Sequence, residues 1–148
     1  MTQITCYESV SAVTFSDIKA GNSFISEVLH AVAEAGINID MISSTPPKSE
    51  RFSFAFSFSD DDIPSLLTVM SKITAVHNIT PFVNSGNVKL VIKNKEMEIH
   101  AGFAARVLEI TEKVGADVLL ITTSADEISL LVPESYADEL TEGFKTLD

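Results

Sequence analysis

The sequence predicts an α+β protein made of two copies of one β-α-β-β-α-β unit, and the main observation behind this prediction is an internal repeat. Residues 24–45 read FISEVLHAVAEAGINIDMISST, and 79 positions later residues 103–124 read FAARVLEITEKVGADVLLITTS. Both copies change from a helical to a strand pattern at a glycine, which indicates a duplicated structural unit. The pairs that match by identity are Phe24/Phe103, Val28/Val107, Leu29/Leu108, Gly36/Gly115 and Ile42/Ile121.

The composition bounds the class of protein and argues against several kinds of partner. A chain of 148 residues with 45% hydrophobic residues holds enough apolar material for two small cores, each marginal alone. The net charge of −11 disfavours nucleic acid and anionic membrane surfaces as partners, because both are themselves negatively charged. No apolar run approaches the roughly 18 residues of a membrane span, so we expect a soluble, cytoplasmic protein.

In the first copy, short extended segments are predicted at residues 3–7 and 10–15, followed by a polar loop at 16–22. The next segment has helical spacing, and Asn22 or Ser23 is expected to cap that helix. Gly36 is expected to end it in a left-handed conformation, before a strand at residues 37–43. The residues predicted to share the buried face of this helix are Phe24, Ile25, Val28, Val32 and Ala35.

Residues 51–58 form the clearest strand, with a phenylalanine at every second position. A base-stacking platform is the functional alternative, but this acidic chain favours the buried side of a sheet. Asp60, Asp61 and Asp62 precede a proline and are interpreted as a helix start rather than a metal site. The helix is predicted to run to about residue 75, burying Leu66, Leu67, Met70 and Ile73.

A strand at 79–83 and a linker at 84–87 complete the first copy. The second copy then gives a strand at 88–93, a loop at 94–102, a helix ended by Gly115, strands at 118–123 and 127–132, and a last helix at 134–147. The helix residues predicted to be buried are Phe103, Val107, Leu108, Thr111 and Val114.

The count of elements predicts a ferredoxin-like fold with one rearrangement. The first copy has the complete split pattern, whereas the second lacks its last strand. The spare N-terminal segment, residues 3–7, is therefore expected to complete the second sheet, because a naked sheet edge would otherwise remain. The predicted units, packed together, are residues 8–84, and residues 88–148 with strand 3–7.

A helix, a glycine and the strand INIDMIS together resemble the ACT domain, and the pair of units resembles the regulatory region of aspartate kinases. The second copy carries the matching loop Met-x-x-His-x-Gly, from Met97 to Gly102, and the strand residues Thr122-Thr123-Ser124 with Ile128-Ser129. The resemblance implies an amino-acid-binding regulatory module that pairs through its sheets, with the effector at the interface between ACT units.

The sequence departs from that family in the loops before the two helices. The family's Pro-Gly is Asn22-Ser23 in the first copy and Ala101-Gly102 in the second, and further glycines are replaced by Asn94 and Glu96. Glycines at these positions let a ligand approach the backbone, so these replacements favour an alternative in which the effector site is altered or lost. The kinase catalytic region is absent from this sequence.

The candidate ligand-binding residues lie at the starts of the two repeat helices and at the ends of the strands. A helix start presents free N–H groups to a carboxylate, and side-chain oxygens can accept from an ammonium group. For any one residue, helix capping or a solvated strand end remains the simpler interpretation. The candidates are Asp17, Ala20, Gly21, Asn22, Ser23, Phe24, Asn38, Ile39, Asp40, Met97, His100, Ala101, Gly102, Phe103, Thr123 and Ser124.

No catalytic or metal-ligating constellation is predicted. Cys6, the only cysteine, is interpreted as a small core or edge residue. His100 has no nucleophile at a suitable spacing, His30 is placed on the polar side of its helix and His77 in a loop, and no metal-ligand spacing occurs. Lys19 and Lys95 lack a glycine-rich phosphate loop, which disfavours nucleotide binding.

The leading functional prediction is a tandem ACT protein that is not an enzyme, uses no cofactor, and binds a small amino acid or related metabolite. It is expected to form a homo-oligomer, with a dimer as the simplest form, and to signal to a regulated enzyme through oligomer contacts. The alternatives are a ligand-free ACT scaffold for protein–protein interaction, and a detached regulatory subunit of an aspartate kinase.

Overall fold

A computed structural model describes residues 1–19 and 21–148, with mixed helix and sheet throughout. The strands are β1 (Gln3–Lys19), β2 (Ile42–Ser44), β3 (Arg51–Ser59), β4 (Phe82–Lys93), β5 (Leu120–Thr123) and β6 (Glu127–Pro133). The helices are α1 (Asn22–Glu34), α2 (Ile63–His77), α3 (Phe103–Val114) and α4 (Ala137–Phe144). Single 3-10 turns lie at Asp60–Asp62, Lys95–Glu98, Glu134–Tyr136 and Lys145–Leu147.

The chain divides into two compact units. The first unit is Ser11–Ser85, and the second unit is Met1–Val10 together with Gly86–Asp148. In the first unit the strand order is β2-β3-β1-β4, and β2 runs antiparallel to β3 with Ile42 opposite Phe56. This is the strand order of a ferredoxin-like β-α-β-β-α-β unit, which confirms the predicted fold class.

The second unit has the corresponding order β5-β6-β4-β1, in which the N-terminal part of β1 takes the place of the missing last strand. Strand β6 pairs antiparallel with both β4 and β5, with Leu130 opposite Leu90 on one side and Ile121 on the other. The rearranged second unit was therefore predicted correctly. The assignment of residues 8–84 to one ACT unit, and of residues 88–148 with strand 3–7 to the other, stays a prediction.

The boundaries of several elements differ from the sequence prediction. The segments predicted at 3–7 and 10–15 are one strand, β1, in which Ser9 has a φ of +59°. The loop predicted at 16–22 is strand as far as Lys19, and the linker predicted at 84–87 lies inside β4, where Asn87 is buried. Pairing with neighbouring strands outweighs the local turn preference of these polar residues.

The strands that follow the repeat helices are shorter than predicted. Residues 37–43 yield only β2, although the Asp40 N–H donates to the Ser57 carbonyl at 3.1 Å. Residues 118–123 yield only β5, and the Leu119 N–H donates to Leu131 at 2.8 Å. Backbone hydrogen bonds to the neighbouring strand therefore begin shortly before the regular geometry of β2 and β5.

The predicted helix ends are confirmed, and three details are wrong. Gly36 and Gly115 adopt left-handed φ values of 77° and 79° just beyond α1 and α3, as expected. Helix α1 begins one residue earlier than predicted, with Gly21 as its N-cap instead of Asn22 or Ser23. Leu67, at 51%, and Ala35 are exposed although both were predicted to be buried, whereas Val69 is buried, because it and not Leu67 lies on the side of α2 that faces the core.

The core of the first unit is aromatic. The four phenylalanines of β3 are all buried, as predicted, and Phe54 stacks on Phe15 of β1 with ring centroids 4.6 Å apart. Phe24, at the start of α1, meets the Phe15 ring edge-on at 5.7 Å. The core of the second unit is mainly aliphatic: Val88, Leu90, Ile92, Phe103, Val107, Ile128, Leu130, Val132, Leu140, Phe144 and Leu147.

The aspartates ahead of α2 form a helix start, as interpreted from the sequence. Asp60–Asp62 is a 3-10 turn that leads directly into α2, and the Ser59 hydroxyl accepts from the Asp61 N–H at 3.3 Å. The Ser11 hydroxyl of β1 donates to the Asp60 carboxylate. These contacts attach the start of α2 to the first sheet.

We expect Phe54→Ala to lower the free energy of unfolding by about 3–5 kcal/mol, because it removes a buried ring that contacts four others. The matched control is Phe82→Ala, since Phe82 is 66% exposed and its loss should cost no more than about 0.5 kcal/mol. Urea denaturation of both variants measures the difference. Equal effects would contradict the assignment of the aromatic core.

We expect a fragment of residues 86–148 to lack cooperative unfolding, because β4 would lose its neighbour β1. Joining residues 1–10 to this fragment through a short Gly/Ser linker should restore a cooperative transition. Circular dichroism with thermal melting measures both fragments. A fragment 86–148 that melts cooperatively without residues 1–10 would contradict the role assigned to β1.

Candidate functional site

The start of α1 is the first part of the predicted site. Gly21 is the N-cap, its carbonyl accepts from the Phe24 N–H at 3.0 Å, and no side chain from the N-cap position bonds to the helix start. Ser23 is exposed, whereas the Phe24 ring is buried in the core. Ala20, also predicted here, lies outside the described residues. The helix start therefore offers backbone N–H groups beside a residue without a side chain.

Asp17 lies just before this helix start, but its carboxylate already has a partner. The Arg51 guanidinium at the start of β3 is 3.3 Å from the Asp17 carboxylate and donates to the Asp17 carbonyl at 3.0 Å. Asp17 has a φ of +50°, and its N–H donates to the Ser53 hydroxyl at 2.9 Å. Arg51 was not among the predicted site residues, since no local signal links positions 34 residues apart.

A polar cavity of about 350 Å³ opens beside this Asp17–Arg51 pair. His77 lines it at the end of α2. Its ring donates to the Glu27 carboxylate of α1 at 2.8 Å and lies edge-on to Phe24 at 5.0 Å. His77 is thus the last residue of α2 and not a loop residue. The lining residues are Ser16, Asp17, Ile18, Lys19, Arg51, His77, Asn78, Ile79 and Thr80.

The strand residues of the first predicted site lie elsewhere. Asn38, Ile39 and Asp40 follow the far end of α1, whose 13 residues span about 20 Å at 1.5 Å per residue. Asn38 and Asp40 are exposed, whereas Ile39 packs against the core. The structure thus does not bring these residues together with Gly21 in the first unit, and one small molecule cannot reach both.

In the second unit, the loop before α3 is organised by a buried asparagine. The Asn94 side chain accepts from the Glu96 N–H at 2.8 Å and donates to the Thr2 hydroxyl at 2.9 Å. Glu96 is also 3.1 Å from the exposed His100 ring. Asn94, which replaces a family glycine, therefore holds the loop in place through hydrogen bonds.

The start of α3 resembles the start of α1 in having a glycine N-cap. Gly102 has a φ of +100°, and no side chain from that position caps the helix. The neighbouring Ala101 is exposed, Met97 packs against the core, and Phe103 is buried beneath the Arg106 guanidinium at 5.4 Å. A cavity of about 550 Å³ opens here, lined by Met1, Asn94, Glu96, His100, Arg106, Leu147 and Asp148.

Thr123 is the last residue of β5 and Ser124 follows it, and both are exposed. The Ser124 N–H donates to the Glu127 carbonyl at 2.9 Å, closing the turn into β6. This turn is joined to the loop before α3, because the Asn94 N–H donates to the Asp126 carbonyl at 2.8 Å and Lys93 is 3.3 Å from the Asp126 carboxylate. The second unit therefore links Thr123 and Ser124 to the base of the predicted loop.

The titratable groups give no sign of an activated catalytic residue. Cys6 is exposed on β1, and partial burial together with the carboxylates of Glu8, Asp138 and Glu134 raises the pKa of its thiol. A raised pKa lowers the thiolate fraction at neutral pH, which is the reverse of what a nucleophile requires. Among residues 1–19 and 21–148, no cluster of His, Cys, Asp and Glu is arranged to hold a metal ion.

Hydrogen bonds also act on the carboxylate of Asp148. The Thr2 side chain and backbone N–H both bond to its carboxylate and lower its pKa.

Within the described part of the chain, no helix is long and apolar enough to cross a membrane.

Comparison with known proteins identifies an ACT domain at residues 24–78, where a family model of that name matches. The aspartokinase of Geobacillus stearothermophilus is 30% identical over 141 residues, which are 93% of this chain and 34% of that protein. The aspartate kinase Ask_LysC of Stutzerimonas stutzeri is 26% identical over 76% of this chain and 27% of its own length. The chain thus spans about a third of the length of these relatives.

Solved structures share the fold. The regulatory subunit of aspartate kinase from Thermus thermophilus superposes with a TM-score of 0.87 at 21% identity, covering 97% of this chain and 95% of that one. E. coli aspartokinase III in complex with lysine and aspartate gives a TM-score of 0.71 at 19% identity, over 97% of this chain and 32% of that one. The similarity lies in the regulatory ACT region and not in the catalytic kinase domain.

We expect Arg51→Gln to loosen the segment around Asp17 without unfolding the protein. An exposed ion pair of this kind contributes about 0–1 kcal/mol, so the melting temperature should change little. Hydrogen exchange should become faster at residues 16–19, which lose their link to β3. The matched control, Arg106→Gln in the second unit, should leave exchange at these residues unchanged. Unaltered exchange in Arg51→Gln would show that the pair does not hold this segment.

Proposed function

We propose that this ACT-domain protein, which is similar to the regulatory region of aspartokinases, binds a free amino acid at its helix starts. The observation that carries the proposal is Gly21. The sequence departs from the family at Asn22-Ser23, which suggested a lost glycine, yet the N-cap of α1 is a glycine one residue earlier. Backbone N–H groups at such an N-terminus suit a carboxylate.

The ammonium group of the ligand would need oxygen acceptors, and the carboxylate of Asp17 just before this helix start is already paired with Arg51. Asn38 and Asp40 have suitable side chains, but they lie beyond the far end of α1. We therefore propose that they act on ligand bound at the helix start of an ACT unit in a second copy of the chain. Under this proposal the homo-oligomer, of which a dimer is the simplest case, is part of the binding site.

Two observations on other proteins support an amino acid as the ligand and an enzyme as the partner. E. coli aspartokinase III is known in complex with lysine and aspartate, and the Thermus thermophilus chain is a regulatory subunit of aspartate kinase. That subunit is nearly the same length as this chain, since 95% of it is covered. We propose accordingly a non-catalytic role in the cytoplasm, in which ligand occupancy is passed to a regulated enzyme.

A specific observation favours the second candidate, a ligand-free scaffold. Two carboxylates that lie before the helix starts already have partners within the chain, namely Asp17 with Arg51 and Glu96 with His100. A ligand would have to compete with these contacts or leave them intact. The third candidate, a detached regulatory subunit of an aspartate kinase, predicts stable association with a separate catalytic chain when the two are expressed together.

Thermal unfolding in the presence of each of the twenty amino acids tests the proposal. An amino acid at 100 times its Kd should stabilise the protein by about 2.7 kcal/mol, because it binds only the folded state. The shift should disappear in Gly21→Val, whose side chain would crowd the helix start, and weaken in Asp40→Asn. Asp61→Asn, an exposed carboxylate in the turn before α2, is the control and should respond as the unmodified protein does.

The outcomes separate the candidates. No shift with any amino acid would contradict ligand binding and favour the scaffold. A shift that persists unchanged in Gly21→Val and Asp40→Asn would place the ligand elsewhere in the chain. Light scattering with and without the responding amino acid measures whether the bound form is an oligomer, as the shared site requires.

A further inference from the structure

A groove between α1 and α2 in the first unit is left without a partner by the fold itself. Its volume is about 420 Å³. Val69 and Ile73 of α2 form a buried apolar floor, and Val76 is 74% exposed at one end. The residues that line it are Glu27, Ala31, Glu34, Ala35, Val69, Lys72, Ile73 and Val76.

The corresponding helix pair of the second unit, α3 and α4, shows what normally fills such a groove. Each position in α1 corresponds to the position 79 residues later in α3. Each position in α2 corresponds to the position 74 residues later in α4, an offset that aligns the buried Leu66 with the buried Leu140. At the groove position the second unit has Ile110 and Gly143. A Cβ on Gly143 would be 2.7 Å from Ile110 Cγ2, so the isoleucine lies directly on the glycine.

In the first unit the sizes at these two positions are reversed. Ala31 takes the place of Ile110, and Val69 takes the place of Gly143. The alanine is too short to cover the neighbouring helix, and the groove stays open around Val69 and Ile73. Helix α1 thus lacks the branched aliphatic side chain that α3 carries at this position, and Val69 on α2 does not close the groove.

The charges along the groove are reversed as well. Helix α1 carries Glu27 and Glu34 on either side of Ala31, where α3 carries Arg106 and Lys113 on either side of Ile110. Glu27 is also 2.8 Å from His77, and Lys72 stands on the α2 side. The α1 side of the groove is therefore acidic, and it is complementary to a basic-aliphatic-basic arrangement of the kind that α3 displays.

We propose that this groove binds a helix of a partner protein that presents one leucine or isoleucine between two basic residues, four positions before it and three positions after it. The aliphatic side chain enters above Ala31 and contacts Val69 and Ile73, and the basic residues meet Glu27 and Glu34. This is the helix-in-groove mode of recognition, in which spacing of three and four residues places the anchors on one face. The site is separate from the helix starts and does not depend on amino-acid binding.

The probe is a labelled, end-capped helical peptide of alanine and glutamine with Arg, Leu and Lys at the stated positions, and the readout is fluorescence anisotropy with the full chain. We expect saturable binding that weakens with added salt, because exposed charges are screened. Two control peptides replace the basic residues by glutamate, or the leucine by asparagine. Each should bind at least tenfold more weakly than the probe.

Variants of the chain locate the site. Ala31→Ile fills the groove with the residue found at the corresponding position of α3, and Glu34→Lys reverses a charge on its exposed side. We expect each to weaken binding of the probe at least tenfold. Glu112→Lys, an exposed charge reversal on α3, is the matched control and should leave the affinity unchanged. Thermal unfolding of each variant checks the fold, and Glu34→Lys decides the question if Ala31→Ile does not fold.

Three results would overturn the proposal. The first is no saturable binding of the probe up to millimolar concentration. The second is equal affinity for the unmodified chain and Glu34→Lys. The third is self-association of the chain, measured by sedimentation equilibrium and abolished by Ala31→Ile, together with no binding of the probe. That result would assign the groove to a second copy of this chain.

Discussion

Every buried backbone N–H and C=O group needs a hydrogen-bond partner, and this requirement brings the N-terminal strand into the same unit as the C-terminal half of the chain. Residues 86–148 supply three strands and two helices of the second unit but not its fourth strand. The N-terminal residues of β1 occupy that place beside β4. Strand β1 then continues into the first unit, where Phe15 stacks on Phe54. The second unit is therefore not a contiguous segment of sequence, whereas the first unit, Ser11–Ser85, is one. The polar residues of 84–87 are strand because their backbone is paired.

Duplication kept the backbone and changed what the side chains do. Both repeat helices begin at a glycine N-cap and end before a left-handed glycine. The end of β1, ahead of α1, is held by the Asp17–Arg51 contact across to β3, whereas the loop before α3 is held by the hydrogen bonds of Asn94. On the helical side, Ala31 and Glu34 stand where the second unit has Ile110 and Lys113. Equivalent positions therefore offer different surfaces, as expected when two copies are free to specialise.

A helix separates the two halves of the predicted ligand site. Gly21 lies directly before α1 and Asp40 lies beyond its far end, so the 13 residues of the helix separate them. A free amino acid is far shorter than a helix of that length. This distance is the reason that the proposed function requires a second copy of the chain, and it makes oligomerisation and ligand binding parts of one question.

By itself the sequence determined the α+β class, the duplication, the buried phenylalanine face of β3, the glycine helix ends and the N-terminal strand of the second unit. These follow from periodicity, local backbone preference and a count of elements, all of which act over short stretches. The tertiary structure alone decided that residues 84–87 are strand, that Arg51 and His77 face the cavity near Asp17, and that a groove opens at Ala31. Each of these depends on contacts between residues far apart in sequence, where packing and strand pairing outweigh local preference.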